Sequence, residues 1–163
     1  AVPSTQAAHR ETVTMNIRTS LTLLIALGLA QPAFAQLKPY VDYDYASSVS
    51  SVSTVKVHAN MIDYYLEGIR GTWVASNEEM KKLGQIEDYA VYVSDLPLSG
   101  DFNVVLVVKF KNGADLEPNK EKYDAFMKAW GEANEKQTQE TVKTYPNIRE
   151  ITGEYRLREI TFK

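Results

Sequence analysis

Residues 86–111, IEDYAVYVSDLPLSGDFNVVLVVKFK, decide the predicted fold because they read as two consecutive β-strands. In the first strand, 86–94, side chains alternate so that Tyr89 and Tyr92 fall on opposite faces. The loop DLPLSG follows, with the proline and glycine typical of a connection. The second strand, 102–111, contains the unbroken apolar run VVLVV, which is typical of a strand buried on both faces.

A strand and a helical region are predicted upstream of this pair. The strand covers residues 49–58 and is dense in β-branched side chains. Asn60 then reads as the N-cap of a region with apolar residues at helical spacing. A second capping pattern at 76–79, SNEE, predicts a bend near 74–76, and Gly84 is a stop signal for the helix.

A second helix and a last strand are predicted downstream. The helix opens near Asp115, has Pro118 in its first turn and must end before Pro146. The strand is long, 149–162, and rich in β-branched and aromatic residues. Gly153 in its middle suggests a β-bulge or the close approach of another backbone.

The predicted elements follow the order β-α-β-β-α-β, which is the ferredoxin-like arrangement. We therefore expect an α+β domain with one four-stranded antiparallel sheet and two helices on one face. Because the third strand is apolar on both sides, the other face needs cover as well. The simplest cover is the same face of a second copy, so a two-fold homodimer is expected.

The order of elements, the helix directly after the first strand and the long last strand resemble the dimeric α+β barrel superfamily over residues 49–163. That superfamily includes stress-responsive barrel proteins, antibiotic-biosynthesis-type monooxygenases and haem-degrading relatives. The resemblance is one of topology and implies a fold without an activity. The segment 86–95, IEDYAVYVSD, also looks like uncharacterised exported bacterial proteins of this shape.

Residues 15–35 read as a cleavable signal peptide. Met15 opens a short region with one positive charge, Arg18, and the ten-residue apolar run LTLLIALGLA follows. Such a run spans about 15 Å as a helix, roughly half of a bilayer core, so it is too short for a membrane anchor. The sequence AFA, ending at Ala35, predicts cleavage before Gln36 and export to the periplasm or the extracellular space.

The flanks of this segment are interpreted separately. Residues 1–14 show no apolar periodicity and are interpreted as an upstream extension that is not native. Residues 36–48 form a lead-in arm with a cluster of tyrosines and aspartates, and the domain itself is expected over 49–163.

Charge limits the classes of partner. Without Arg10, Arg18 and Glu11, the predicted mature chain carries 16 Lys and Arg against 20 Asp and Glu, a net charge of −4. A mildly acidic surface of mixed sign argues against nucleic acid and anionic membranes. The chain has no cysteine, so no disulfide stabilises the domain and no lipid is attached through cysteine.

Three residues near the predicted sheet are candidate ligand contacts. His58 is the single histidine after the cleavage site, and imidazole serves as acid, base or haem ligand near neutral pH. Tyr92 lies on the less apolar face of its strand, and Tyr65 lies beside the apolar stripe of the first helix. The alternatives are a partly exposed histidine at a strand end and tyrosines that only pack.

Arg156 and Arg158 fall on one face of the predicted last strand, where two guanidinium groups side by side could bind the carboxylate of a ligand. The alternative is a solvent-exposed face on which both arginines pair with nearby acidic residues. No metal-ligand motif, phosphate loop or nucleophile elbow is present, so no metal or cofactor is expected. The larger apolar residues at helical spacing are interpreted as core: Trp73, Phe126, Met127 and Trp130.

These observations favour an exported, homodimeric protein that binds a small molecule, because the polar residues are too few for an evident catalytic set. A cofactor-independent enzyme of the monooxygenase type is the first alternative, since such chemistry needs only a dry pocket and one or two positioned polar groups. An interaction protein that uses the tyrosine-rich arm is the second.

Overall fold

A computed structural model describes residues 36–96 and 99–163. The predicted signal peptide and the upstream extension lie outside the described residues. Within them, the strands are β1 Tyr43–Tyr45, β2 Val49–Val57, β3 Asp88–Val93, β4 Val104–Phe110, β5 Arg149–Leu157 and β6 Ile160–Phe162. The α-helices are α1 Ile62–Ile69, α2 Ala75–Lys82 and α3 Lys120–Val142. A π-helical segment, Arg70–Val74, joins α1 to α2, and 3-10 turns cover Gly113–Leu116 and Tyr145–Asn147.

The main sheet has the strand order β3-β4-β2-β5, and each neighbouring pair is antiparallel. This order, with helices after β2 and after β4, is the ferredoxin-like fold, so the predicted fold class is confirmed. The predicted resemblance in topology to dimeric α+β barrel proteins holds on the same ground.

The core lies between one face of this sheet and α1. Val55 and Val57 of β2 contribute to it together with Val104 and Leu106 of β4, because Val55 lies directly opposite Val104. Each fully buried side chain of this kind stabilises the fold by about 1.5–3 kcal/mol. Other elements complete the cluster with Tyr65, Ile69 and Tyr145.

The opposite face of the sheet is also apolar but less buried. Val105 and Val107 of β4 lie on this face, and both are half-buried. At the sheet edges, Tyr92, Tyr155 and Leu157 are each more than half exposed. The apolar run in β4 therefore supplies two faces, as predicted, but its second face is only partly covered by the described chain.

Two predicted helix starts are wrong. Asn60 adopts a left-handed conformation, φ 63°, in the turn after β2, and α1 follows Met61 without a side-chain cap. Asparagine tolerates this conformation, so it serves here as a turn residue. The predicted second helix is α3, and it begins at Lys120, later than predicted. The Asn119 side chain caps it by accepting a hydrogen bond from the Lys122 amide at 2.9 Å.

The bend between α1 and α2 is also of a different kind from the predicted capped restart. The π-helical segment keeps right-handed backbone angles at its flanks, and the Ser76 hydroxyl donates to the Trp73 carbonyl at 2.9 Å. The predicted stop at Gly84 is confirmed: its φ is 68°, and its amide donates to the Lys81 carbonyl at 3.0 Å.

The predicted long last strand is two strands. β5 pairs with β2, and after Arg158 the chain continues as β6, which pairs with β1 in a separate two-stranded sheet. The lead-in arm therefore contains a strand, β1, which pairs with the end of the chain. The bulge expected near Gly153 is confirmed, since Thr54 pairs with Gly153 but Val55 pairs with Ile151.

In the described residues no helix is both long enough and apolar enough to cross a membrane.

Candidate functional site

The five sequence-predicted ligand contacts do not form one site. His58 follows β2 and is exposed, with its Nδ1 3.3 Å from the Asn147 carbonyl oxygen. Tyr92 lies on the open face of the sheet and is 60 % exposed. Tyr65 lies on the other side, buried in the core, where its ring packs edge-on against Tyr145 at 5.6 Å.

The two arginines predicted as a carboxylate clamp are not paired. Arg156 lies within β5 opposite Ser51, on the helix-covered face. Arg158 follows the strand, and its guanidinium donates to the carbonyl oxygens of Ala46 and Ser47 at 3.1 and 3.2 Å. Arg158 is therefore occupied in tying the end of β5 to the segment before β2.

The main cavity in the described residues is an open cleft of about 960 Å³ between the π-helical segment with α2, helix α3 and the start of β5. This volume lies near the upper end of the range for small-molecule pockets. Trp73 comes from the π-helical segment, Phe126 and Trp130 come from α3, and Tyr145 comes from the turn before β5. Four of the fourteen lining residues are therefore aromatic, and they come from three different segments.

A break in α3 gives the cleft its shape. Gly131 has φ 77° and ψ 159°, a conformation that is essentially restricted to glycine. Phe126 and Trp130 precede this break, whereas Thr138 and Val142 follow it and reach the cleft from the second half of the helix. The Asn134 side chain donates to the Trp130 carbonyl at 2.6 Å, which satisfies an acceptor that the break deprives of its helical partner.

The aromatic groups are fixed by packing and hydrogen bonds. The rings of Phe126 and Trp130 stack, 5.8 Å apart at 16°, and Trp73 packs edge-on against Tyr89 at 5.7 Å. At the base of the cleft, the Tyr145 hydroxyl lies 2.9 Å from the Thr72 hydroxyl. These contacts hold the walls in place without a ligand.

Arg149 is the one basic residue among those that line the cleft. Its guanidinium carbon lies 5.1 Å from the centre of the Tyr145 ring and 6.0 Å from that of Tyr65, at cation–π distance. Burial raises the pKa of Tyr65, and the nearby Arg149 charge offsets this only in part. The Tyr65 hydroxyl thus stays protonated at neutral pH.

Two residues that line the cleft each contain a buried polar atom without a hydrogen-bond partner among the described residues: the Thr138 hydroxyl oxygen and the Arg149 Nε. Buried polar groups are nearly always paired, so both atoms call for an explanation. The cleft next to them is the space from which a partner can come.

Sequence reasoning missed this site. Trp73, Phe126 and Trp130 were interpreted as core. Trp130 is indeed buried, at 6 % exposed, and Trp73 packs against the core, but all three also line the cleft, which was not predicted. The available signal was Gly131, a glycine inside a helical pattern. The described residues bring together no group of three His, Asp or Glu that suits a metal ion.

Comparison with known proteins adds little beyond the fold. No protein-family model and no curated protein matches the chain. Among solved structures, HapK from Hahella chejuensis is similar with a TM-score of 0.41 and 12% identity, over 68% of this chain and 91% of that one. A dimeric protein of unknown function and ferredoxin-like fold from Bacteroides fragilis has a TM-score of 0.39 and 15% identity, over 73% of this chain and 99% of that one. A dimeric ferredoxin-like protein of unknown function from Thermobifida fusca has a TM-score of 0.29 and 8% identity, over 72% of this chain and 92% of that one.

Proposed function

We propose that this chain is an exported, homodimeric protein that binds a small, partly apolar molecule in the cleft beside α3. The observation that carries the proposal is the cleft itself. Its aromatic side chains offer an apolar contact area, and two of its lining residues, Thr138 and Arg149, contain polar atoms without hydrogen-bond partners among the described residues. Ligand pockets typically combine apolar walls with a few placed polar groups.

The position of His58 favours a binding protein over an enzyme. An enzyme of the monooxygenase type needs a dry pocket with positioned polar groups, and His58 is the candidate acid or base for it. The cleft, however, is lined by Thr138 and Arg149, and His58 is not among its lining residues. Arginine keeps its proton at all physiological pH values and threonine does not titrate there, so a general acid or base in this cleft would have to be Glu135 or Glu150.

The homodimer is proposed to form through the open face of the sheet. Val105 and Val107 stand at its centre, with Tyr92 and Tyr155 at the edge strands. Lys109 lies opposite Asp88 across the β3–β4 pair, so the face carries both signs of charge. A two-fold axis through such a face brings each sign near the other, which suits a self-complementary interface.

Native mass spectrometry of the protein purified from its own host tests both parts of the proposal. The expected spectrum shows a dimer in which each subunit retains a small organic molecule, released on denaturation. A protein that is monomeric at micromolar concentration would refute the dimer. A protein that carries no added mass, and whose tryptophan fluorescence responds to no small apolar compound, would refute the binding function.

A single substitution isolates the dimer face. Val107→Glu places a carboxylate at the centre of the open face and leaves the core face of β4 unchanged. We expect a monomer with wild-type far-UV circular dichroism, measured by light scattering after gel filtration. The matched control, Glu154→Gln on the other face of the sheet, stays dimeric; a dimeric Val107→Glu variant would place the interface elsewhere.

A further inference from the structure

We infer that the ligand of the cleft is a small carboxylic acid with a flat aromatic body, held by its carboxylate to Arg149 and Thr138. This inference rests on the proposed binding function and names the chemical class of the ligand. It is carried by the two unpartnered atoms, by the charges around them and by the shape of the aromatic walls.

Arg149 is unusual among the arginines of the domain. Arg70 forms an ion pair with Glu67 at 2.8 Å, and Arg158 donates to backbone carbonyls. In the described residues, Arg149 has no carboxylate within ion-pair distance and donates no hydrogen bond. Its only described partners are two tyrosine rings. A buried guanidinium N–H without an acceptor is costly, and an anion in the cleft would supply the acceptor.

Thr138 is unusual among the threonines of the helical segments. Thr72 donates its hydroxyl proton to the Gly68 carbonyl, Thr141 donates to the Gln137 carbonyl and Thr144 donates to the Thr141 carbonyl. The Thr138 hydroxyl makes no such bond although it is buried. Thr138 lines the same cleft as Arg149, and its hydroxyl proton has no acceptor among the described residues.

The acidic residues at the cleft do not neutralise Arg149. Glu135 accepts a hydrogen bond from the Gln139 side chain at 2.9 Å along α3. Glu150 is exposed and adjoins Arg149 in β5, so the two side chains point to opposite faces of the sheet. Neither carboxylate lies within ion-pair distance of Arg149, so its guanidinium has no counter-ion among the described residues and an anionic ligand can supply one.

The geometry of these groups favours a carboxylate on a flat body. An arginine N–H and a hydroxyl offer two donors, and a carboxylate offers two acceptor oxygens. The stacked rings of Phe126 and Trp130 present a planar surface, and Trp73 lines the same cleft. Aromatic faces of this kind stack best on flat ligands.

Calorimetric titration with three matched probes tests the inference: 2-naphthoate, its neutral amide and 2-naphthylmethylammonium. We expect 2-naphthoate to bind at least about tenfold more tightly than the amide, as charge-assisted hydrogen bonds predict. Arg149→Met keeps most of the apolar stem and should abolish this preference while leaving amide binding unchanged. Thr138→Val should weaken 2-naphthoate alone, by several-fold. Arg156→Met, in the same strand, is the control and should change neither affinity.

The outcomes separate this inference from the proposed function. If no probe binds the wild-type protein, the carboxylate inference is refuted, and the native mass spectrum decides separately whether the binding function stands. If the naphthoate and the amide bind equally, or the ammonium probe binds best, the binding function stands and the carboxylate inference is refuted. If Arg149→Met unfolds, Thr138→Val decides: an unchanged preference for the naphthoate in that variant refutes the two-donor site.

Discussion

Replacement of Thr72 by valine removes one hydroxyl from beneath the cleft and keeps a side chain of nearly the same shape. Thr72 is 4 % exposed, and its hydroxyl lies 2.9 Å from both the Gly68 carbonyl and the Tyr145 hydroxyl. A carbonyl only accepts, so the single proton of Thr72 goes to Gly68. The Tyr145 hydroxyl must therefore be the donor in the bond between the two side chains.

The direction of this bond sets the size of each effect. In Thr72→Val the buried Tyr145 donor loses its acceptor, which costs about 1–3 kcal/mol of unfolding free energy. In Tyr145→Phe the donor itself is gone and Thr72 keeps its bond to Gly68, so the cost is about 0.5–1.5 kcal/mol. The double variant leaves no unpaired donor, and its cost should be no greater than that of Thr72→Val alone.

Urea unfolding, followed by the fluorescence of Trp73 and Trp130, measures these free energies. We expect Thr72→Val to be the more costly single change, with a coupling energy of about 1 kcal/mol in the double-mutant cycle. Equal m-values across the four proteins would show that the denatured state is unaffected. Additive effects, or a larger loss in Tyr145→Phe, would refute the assigned direction of the hydrogen bond.

Three further predictions concern the frame around the site. Gly153→Ala puts its Cβ 2.5 Å from the hydroxyl of Tyr155, so thermal melting should show a loss of about 1–3 kcal/mol of unfolding free energy. The control Gly100→Ala has open space around its Cβ and should change this free energy little. Asn119→Ala should cost about 1 kcal/mol in the same assay because it removes the cap of α3. The hydrogen bond to Glu78 raises the pKa of Tyr89 to about 12, so Glu78→Gln should lower that pKa in an ultraviolet titration. In the wild type, this contribution to stability should be complete below the unfolded tyrosine pKa of about 10 and be lost as pH rises through 12.

The strands and their order were predictable because their signals are local. Alternation in β3 assigns neighbouring side chains to opposite faces of the sheet, and the apolar run in β4 marks a strand with two apolar faces. The helix starts were less predictable since asparagine serves two roles. Asn60 takes a left-handed turn conformation, whereas Asn119 caps α3, and only the surrounding chain decides between them.

The cleft could not be predicted because it depends on contacts between distant segments. Trp73 and Trp130 are 57 positions apart in the sequence, and a core and a cleft impose the same helical spacing on each. What distinguishes the two is the break at Gly131, which redirects the second half of α3. A glycine within a helical pattern signals weakness there but carries no information on the new direction.

The bulge of β5 decides on which face of the sheet Arg149 lies relative to Arg156. Strict alternation puts Arg156 and Arg149 on opposite faces of the last strand, because their numbers differ by an odd step. In the structure, Val57 pairs with Arg149 and Ser51 pairs with Arg156, and these β2 residues share a face. The extra residue at the bulge, Thr152, reverses the alternation between them. The same glycine-marked irregularity that the sequence suggested therefore puts Arg149 on the helix-covered face together with Arg156, and of these two arginines only Arg149 lines the cleft.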